Sequence, residues 1–334
     1  MSLFDDDLAS PPAARPPFEG LTPEVVLDAI ESVGELPDGR LSTLNSYENR
    51  VYQIGRDDAP PLIAKFYRPA RWSDAAILEE HAFSAELADE ELPVVAPLVL
   101  GGNTLHTFAG FRFALFERRG GRAPELEDTA TLERLGRFIG RIHSIGKRRA
   151  YAERGAIDLA TYGTASRDIV LSRGLVPADI APAYERATEL ALERVTQVFE
   201  TVGPVATLRL HGDCQAGNVL WTDAGPHFVD FDDSRMGPAV QDLWMLSTER
   251  QITSGSFADL LRGYEVFCDF DERELALVEA LRTLRLMHYS AWIALRWDDP
   301  AFPAAFPWFG TQRYWEDRVL ETREQIAAMQ EDFH

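Results

Sequence analysis

Cysteine occurs only at positions 214 and 268, too few and too far apart for a disulfide framework or a thiolate zinc site. That scarcity points to a reducing compartment, and the cytoplasm is the expected location. No apolar run is long enough to span a bilayer, and the acidic start MSLFDDDLAS lacks the positive charge and apolar core of a secretion signal. Neither export nor membrane insertion is expected. Basic side chains are outnumbered, 33 Lys and Arg against 54 Asp and Glu, which gives a formal net charge of −21. Such a surface repels nucleic-acid backbones and anionic lipid, so neither is an expected partner. Lysine is sparse at the front of the chain: Lys65, in the strand-like run PLIAKFY, is the only one in the first 146 residues.

What is present suffices for a large folded unit. The chain has 334 residues, 46% of them hydrophobic, enough to fill a two-lobed core. Residues 1–20, with the proline-rich SPPAARPPFEG, read as a flexible arm. Thr22 and Pro23 then form a helix start, and the helix is expected to end at Gly34. Residues 41–55 and 61–69 read as two strands of a hairpin joined by RDDAP, and residues 73–92 as a helix with a serine cap. PVVAPLVLGG and FRFALFE are expected to extend the same sheet. The composite is an α+β N-terminal lobe over 21–117, with one main helix on a small antiparallel sheet. After the joint RGGRAP, residues 118–334 read as a larger lobe, mostly α-helical, with a β-rich insert at 206–231.

The chemistry concentrates in LRLHGDCQAGNVLW (208–221). His211, Asp213 and Asn218 have the H-x-D-x-x-x-x-N spacing of a kinase catalytic loop, in which the aspartate takes the proton of the acceptor hydroxyl and the asparagine binds a metal. His211 belongs with this catalytic set, bracing of the loop being favoured over proton transfer. A hairpin follows, with Asp223-Ala224-Gly225 expected to form a three-residue turn. That register would set Asp230 opposite Asn218, on one face, as a second magnesium ligand and part of the catalytic constellation. Lys65 suits contact with nucleotide phosphates, oriented by a glutamate on the next helix; Glu80 is favoured over Glu79 because it shares a face with Leu87. His143 reads as a packed helix residue, and His81, His106, His227 and His288 form no metal-ligand spacing. The helix at 275–297, with Arg282, Arg285, His288, Trp292 and Trp297, reads as a core helix in preference to a wall of the acceptor groove.

Six motifs carry a resemblance: LNSYENRVYQIG, IAKFYRPARW, ILEEH, LRLHGDCQAGNVLW, FVDFDDSRMGPAVQDLWML and WDDPAFPAAFPWF. In these the chain resembles the bacterial stress response kinase A family of RdoA-type protein kinases. That family lies within the aminoglycoside phosphotransferase and choline kinase-like group and has the protein kinase fold. The resemblance runs from about residue 41 to about residue 315. It implies a bilobal protein kinase-like fold and an autophosphorylating Ser/Thr kinase linked to envelope or oxidative stress. ATP and Mg²⁺ are the implied cofactors, a protein with a Ser or Thr acceptor is the implied partner, and a monomer is expected. Asp213 matches the family's base, Asn218 and Asp230 its magnesium ligands, Ser46 a serine that touches ATP, and Lys65 the phosphate-binding lysine. Asp232 matches an acidic position whose role stays open. Two departures from related kinases stand out: LNSYENRVY replaces a glycine-rich loop, and Gln215 occupies a position usually held by histidine. A kinase of small alcohols, sugars or aminoglycosides is the alternative, and a nucleotide-binding pseudokinase scaffold a second one.

Overall fold

Thr22 caps the first helix, α1 (Pro23–Ser32), by accepting from the Val25 N–H at 3.4 Å, while Pro23 sits where no N–H is needed. The computed structural model describes residues 16–247 and 256–331, so most of the expected arm lies outside the described residues. The apolar face of α1, Val26, Ala29 and Ile30, packs on Ile54, Leu62, Phe66 and Phe113 of an antiparallel sheet. That sheet has strands β1 (Pro37–Leu44), β2 (Arg50–Arg56), β3 (Leu62–Phe66), β4 (His106–Phe108) and β5 (Phe111–Glu117), in the order β1-β2-β3-β5-β4. Alternation along β3 sends Leu62, Ala64 and Phe66 toward α1 and leaves Ile63 and Lys65 on the opposite face. Helix α2 (Asp74–Asp89), capped by Ser73, follows β3.

Two expectations fail here for physical reasons. Residues 41–55 are not one strand: β1 ends at Leu44, β2 starts at Arg50, and NSYEN turns the chain between them. Residues 93–102 form no strand either. Pro93 and Pro97 supply no N–H for a ladder, and the run makes only isolated bridges, Val94 to Phe228, Pro97 to Phe116 and Leu100 to Asn103. The sheet edge is taken by the short β4, which the sequence did not suggest.

The C-terminal lobe is helical: α3 (Thr129–Gly146), α4 (Ala165–Ser172), α5 (Ala181–Val202), α6 (Val240–Trp244), α7 (Ser256–Tyr264), α8 (Val278–Leu295), α9 (Ala301–Ala305) and α10 (Gln312–Glu331). Small two-stranded pairs sit among them, β6 (Leu208–Arg209) with β9 (Met236–Gly237), and β7 (Val219–Thr222) with β8 (Gly225–Phe228). Helices α3 and α7 touch backbone to backbone. A Cβ on Gly136 would stand 2.0 Å from the Leu260 carbonyl oxygen, and one on Gly263 2.0 Å from that of Glu133. The main core gathers Leu135, Ile139, Leu210, Phe231 and Leu281, and Phe83 and Leu87 of α2 join it, so the lobes share apolar packing. A second core surrounds Trp315 and Tyr184. The α+β, bilobal class read from the sequence is the class observed. Among the described residues, no helix is long and apolar enough to cross a membrane.

Candidate active site

A cleft of about 800 Å³ separates the lobes. Val51, Ile63, Lys65 and Phe116 form its sheet wall, Ser46, Tyr47 and Glu48 its lip, and Asp213, Asn218 and Asp230 its floor. Helix α8 supplies the remaining wall through Arg282, Arg285, Leu286, His288, Tyr289 and Trp292. This corrects the reading of that helix as plain core. Its opposite face, Leu281, Leu284, Met287, Ala291 and Ala294, is buried, so the helix serves both. Trp297 lies past its end, packed on Phe309 with ring centroids 5.1 Å apart.

The loop from Leu210 to Asn218 is held by hydrogen bonds that begin at a residue 30 positions away. Asp242 Oδ2 accepts the His211 N–H at 2.7 Å and Oδ1 the Gly212 N–H at 2.9 Å, while His143 Nε2 donates to Oδ2 at 3.0 Å. Burial pushes the Asp242 carboxyl up, but the His143 hydrogen bond and these neighbours outweigh it and hold it below the usual carboxylate range. Gly212 is required: its φ is +85°, and a Cβ would stand 2.1 Å from the Asp233 carbonyl oxygen. His211 is 1% exposed; its Nε2–H donates to the Val229 carbonyl at 2.9 Å, and its Nδ1 accepts the Asp213 N–H at 3.4 Å. With both ring nitrogens engaged by backbone, it is placed to brace the loop, the role favoured over proton transfer in the sequence. His143 is fully buried, as a packed residue.

Asp213 points into the cleft under three side-chain donors. Asn218 Nδ2 reaches Oδ2 at 2.9 Å and the Asp213 carbonyl at 2.8 Å, Gln215 Nε2 reaches Oδ2 at 3.1 Å, and Arg285 holds Oδ1. Gln215 therefore positions the carboxylate through a fixed hydrogen bond. Arg285, named in the sequence only as part of a helix face, is an ion-pair partner of Asp213.

The expected register between Asn218 and Asp230 is wrong by one residue. Thr222 pairs with Gly225 and Val219 with Phe228, so Asp223-Ala224 is a two-residue turn, and the Val229 N–H donates to the Asn218 carbonyl at 3.0 Å. Simple alternation would then send Asp230 away from Asn218. It does not, because Asp230 adopts the left-handed conformation, φ 62° and ψ 65°, which leaves the strand and brings its carboxylate into the cleft.

There Asp230 Oδ1 accepts from Lys65 Nζ at 2.7 Å, and Asp232 Oδ1 lies 3.4 Å from the same nitrogen. Burial pushes the Lys65 ammonium down, yet Asp230 and Asp232 outweigh it and hold the group well above its ordinary range. Glu80 is 3% exposed, bonded at Oε1 by Ser84 at 3.2 Å, and its Oε2 is buried without a hydrogen-bond partner. Burial raises its pKa and Lys65 acts against that, but no Glu80–Lys65 ion pair forms here. Glu79, the disfavoured neighbour, accepts three backbone N–H groups from Ala152, Glu153 and Arg154. Asp232, left open by the sequence, is the hub of the network: it pairs with Arg71 and accepts from Asn49 Nδ2 at 3.2 Å.

The lip has no glycine turn but is anchored by charge. Glu48 is 9% exposed and meets Arg68 at 3.0 Å, Arg296 at 2.7 Å, Arg71 at 3.7 Å and the Trp292 Nε1–H at 2.6 Å. Arg68 also donates to the Glu48 and Tyr47 carbonyls and to Asp299. Ser46 lies on this anchored lip and faces the cleft. Glu48, Arg68, Arg71 and Asp242 were missed in the sequence because each acts through partners far along the chain.

Among the described residues, no group of three or more His, Cys, Asp and Glu side chains is arranged to hold a metal ion by itself. Asn218 and Asp230 both line the cleft, and their side-chain oxygens are of the kind that could hold a hard cation there.

Comparison with known proteins gives concordant results. A family model described as Phosphotransferase enzyme family matches residues 40–278. The chain is 43% identical over 315 residues to the Serine/threonine protein kinase RdoA of Salmonella typhimurium, covering 94% of this chain and 95% of that protein. It is 42% identical over the same length to the Stress response kinase A of Escherichia coli, with the same coverage. Among solved structures, a microcompartment-associated aminopropanol kinase is similar at a TM-score of 0.66 and 17% identity, covering 92% of this chain and 96% of that one. The amicoumacin kinase hAmiN in complex with AMP-PNP, Ca²⁺ and Ami is similar at a TM-score of 0.64 and 20% identity, covering 88% and 93%.

Proposed function

Because the chain belongs to the phosphotransferase enzyme family, we propose that it is an ATP- and Mg²⁺-dependent Ser/Thr protein kinase of a stress response, able to phosphorylate itself. The observation that carries this reading is the convergence of Asp213, Asn218, Asp230 and Lys65 on one cleft. The relatives at 43% and 42% identity, named as a serine/threonine protein kinase and a stress response kinase, support the protein acceptor.

In this mechanism ATP lies with its adenine against the β5 end, at Phe116 and Glu117, and its phosphates toward Lys65 and the Ser46 lip. Asp213 takes the proton as the acceptor oxygen bonds to the γ-phosphorus, and the bond from that phosphorus to the β–γ bridging oxygen breaks, releasing ADP. Magnesium, held by Asn218 and Asp230, would neutralise phosphate charge as it shifts toward the leaving group. Lys65 is shared between Asp230 and Asp232, so nucleotide phosphates would compete with carboxylates for one ammonium. Asp232 and Arg71 pair with each other beside Lys65, with Arg71 on the cleft wall. Glu80 remains a candidate orienter of Lys65, in a rearranged state in which its unpartnered Oε2 turns to the ammonium.

The second reading, a kinase of small alcohols or amines, rests on the fold neighbours, which include an aminopropanol kinase. Incubation of the purified chain with radiolabelled ATP, Mg²⁺ and a cell extract separates the two. Label on protein Ser or Thr supports the proposal; label confined to a metabolite favours the second reading, and no magnesium-dependent turnover at all favours a pseudokinase. Residues 21–117 and 118–334 would be the two lobes of this enzyme, acting in the cytoplasm as a monomer.

A further inference from the structure

Beside the cleft, and sharing Arg71, His288 and Trp292 with it, lies a second cavity of about 450 Å³. Arg68, Arg71, Arg235 and Arg296 line it, and no Asp or Glu does. In a chain with 54 acidic and 33 basic side chains, composition alone would favour carboxylates on such a wall. The arginines are therefore concentrated here against the overall charge.

Three of these guanidinium groups already have carboxylate partners. Arg68 pairs with Glu48 and Asp299, Arg71 with Asp232 and Asp233, and Arg296 with Glu48. Arg235 has none: among the described residues it forms no ion pair and no side-chain hydrogen bond. Its Cζ stands 4.6 Å from the centroid of the Trp72 ring and 5.6 Å from that of Tyr162. Its Nε is buried without a hydrogen-bond partner, and so is the Nε of Arg296. Among the four arginines of this wall, Arg235 is thus the one whose charge no carboxylate of the described residues balances, which leaves it to an acceptor from outside. The rings fix the plane of Arg235 by cation–π contact. Thr161 and Ser166 add hydroxyls to the wall. His288 is lowered to about 3, chiefly by burial, so it is neutral near pH 7 and the charge belongs to the arginines.

We propose that this cavity is an anion subsite that takes a phosphate group, with Arg235 as its principal ligand. A tetrahedral dianion offers several acceptor oxygens to planar guanidinium forks, the pairing for which arginine is best suited. The subsite adjoins the cleft through Arg71, His288 and Trp292. A phosphorylated side chain of a docked protein and a free phosphate ion present the same chemistry to it.

The test is calorimetric titration of the full chain without nucleotide, using as probes inorganic phosphate, a phosphoserine peptide and its unphosphorylated counterpart. Binding by phosphate or phosphopeptide is expected, weakened about tenfold to a hundredfold by Arg235→Gln, the worth of a charge-assisted hydrogen bond. Lys65→Met, which removes the cation of the nucleotide cleft, should leave it unchanged. Phosphopeptide binding tighter than both other probes identifies a phosphorylated protein as the source, and equal binding by inorganic phosphate identifies the free ion. Arg235→Lys keeps the charge and should keep part of the affinity, which carries the test if the glutamine variant does not fold. Absence of binding by every phosphate probe, an unaltered affinity in Arg235→Gln, or loss in Lys65→Met overturns the proposal. No step of the measurement requires turnover, so it stands apart from the kinase reading.

Discussion

The Trp292 Nε1–H donates to Glu48 Oε2 at 2.6 Å, tying the tip of the β1–β2 connection in one lobe to helix α8 in the other. Arg296, on the same side, meets the same oxygen at 2.7 Å. Glu48→Ala would leave buried arginines short of a carboxylate, an arrangement that costs on the order of 3–5 kcal/mol. The variant should unfold at lower denaturant, and its KM for ATP should rise more than its kcat falls, because the phosphate lip loses its anchor. An unchanged unfolding midpoint would show that the anchor is dispensable.

Replacing the proposed base tests the chemistry directly. Asp213→Asn keeps the size of the side chain but cannot take a proton, and phosphoryl transfer should slow by about 10²–10⁴. Nucleotide affinity, measured by equilibrium titration, should stay near the wild-type value. Normal transfer in this variant would remove Asp213 from the mechanism.

Asp242 makes a different prediction, since it touches no part of the cleft. It accepts from two backbone N–H groups and from His143. An asparagine there turns one accepting oxygen into a donor facing an N–H. Asp242→Asn should lose on the order of 3 kcal/mol of stability, the scale for breaking a buried charge network. Amide exchange at 211–213 should accelerate, and turnover should fall with it; protection equal to wild type would contradict the bracing role.

Glu274 gives a pH dependence. Burial raises its carboxyl from 4.5 to about 7, against the Val240 N–H that it accepts at 2.8 Å. Between pH 4.5 and about 7 the folded chain therefore holds a proton that the unfolded chain has released. Stability from this group is present at the acid end and lost as pH rises through the folded value. Glu274→Gln should flatten that slope and stabilise the chain at pH 8 by on the order of 1–3 kcal/mol. Urea midpoints at pH 5 and pH 8 measure it, and parallel profiles in the two proteins would refute it.

The legible part of the site was the part written in local spacing. His211, Asp213 and Asn218 lie within one loop, and Lys65 announced itself as a rare cation in an apolar strand. In the structure, alternation along β3 sets Lys65 on the face away from α1, where the cleft is. The illegible part depends on a single residue or on distant partners. Turns of two and three residues share the composition Asp-Ala-Gly, yet they reverse every face along the hairpin. No local pattern pairs Arg285 with Asp213, Asn49 with Asp232 or Asp242 with Gly212, because those contacts join residues far apart in the chain and exist only once it is folded. Pro93 and Pro97 are themselves local signals against a strand, since neither supplies an N–H to a ladder.

The backbone of Asp230 constrains which replacements are informative. At φ 62° most side chains cost about 1–2 kcal/mol, whereas Asn tolerates the conformation nearly as well as Asp. Alanine therefore confounds two perturbations, removal of charge and distortion of the bend that aims residue 230 across the hairpin. Asn removes the charge without the distortion: Asp230→Asn should abolish most magnesium-dependent turnover and melt later than Asp230→Ala, since both release Lys65 but only alanine also strains the bend. The position sifts its occupants by torsion angle first and only afterwards by what they carry.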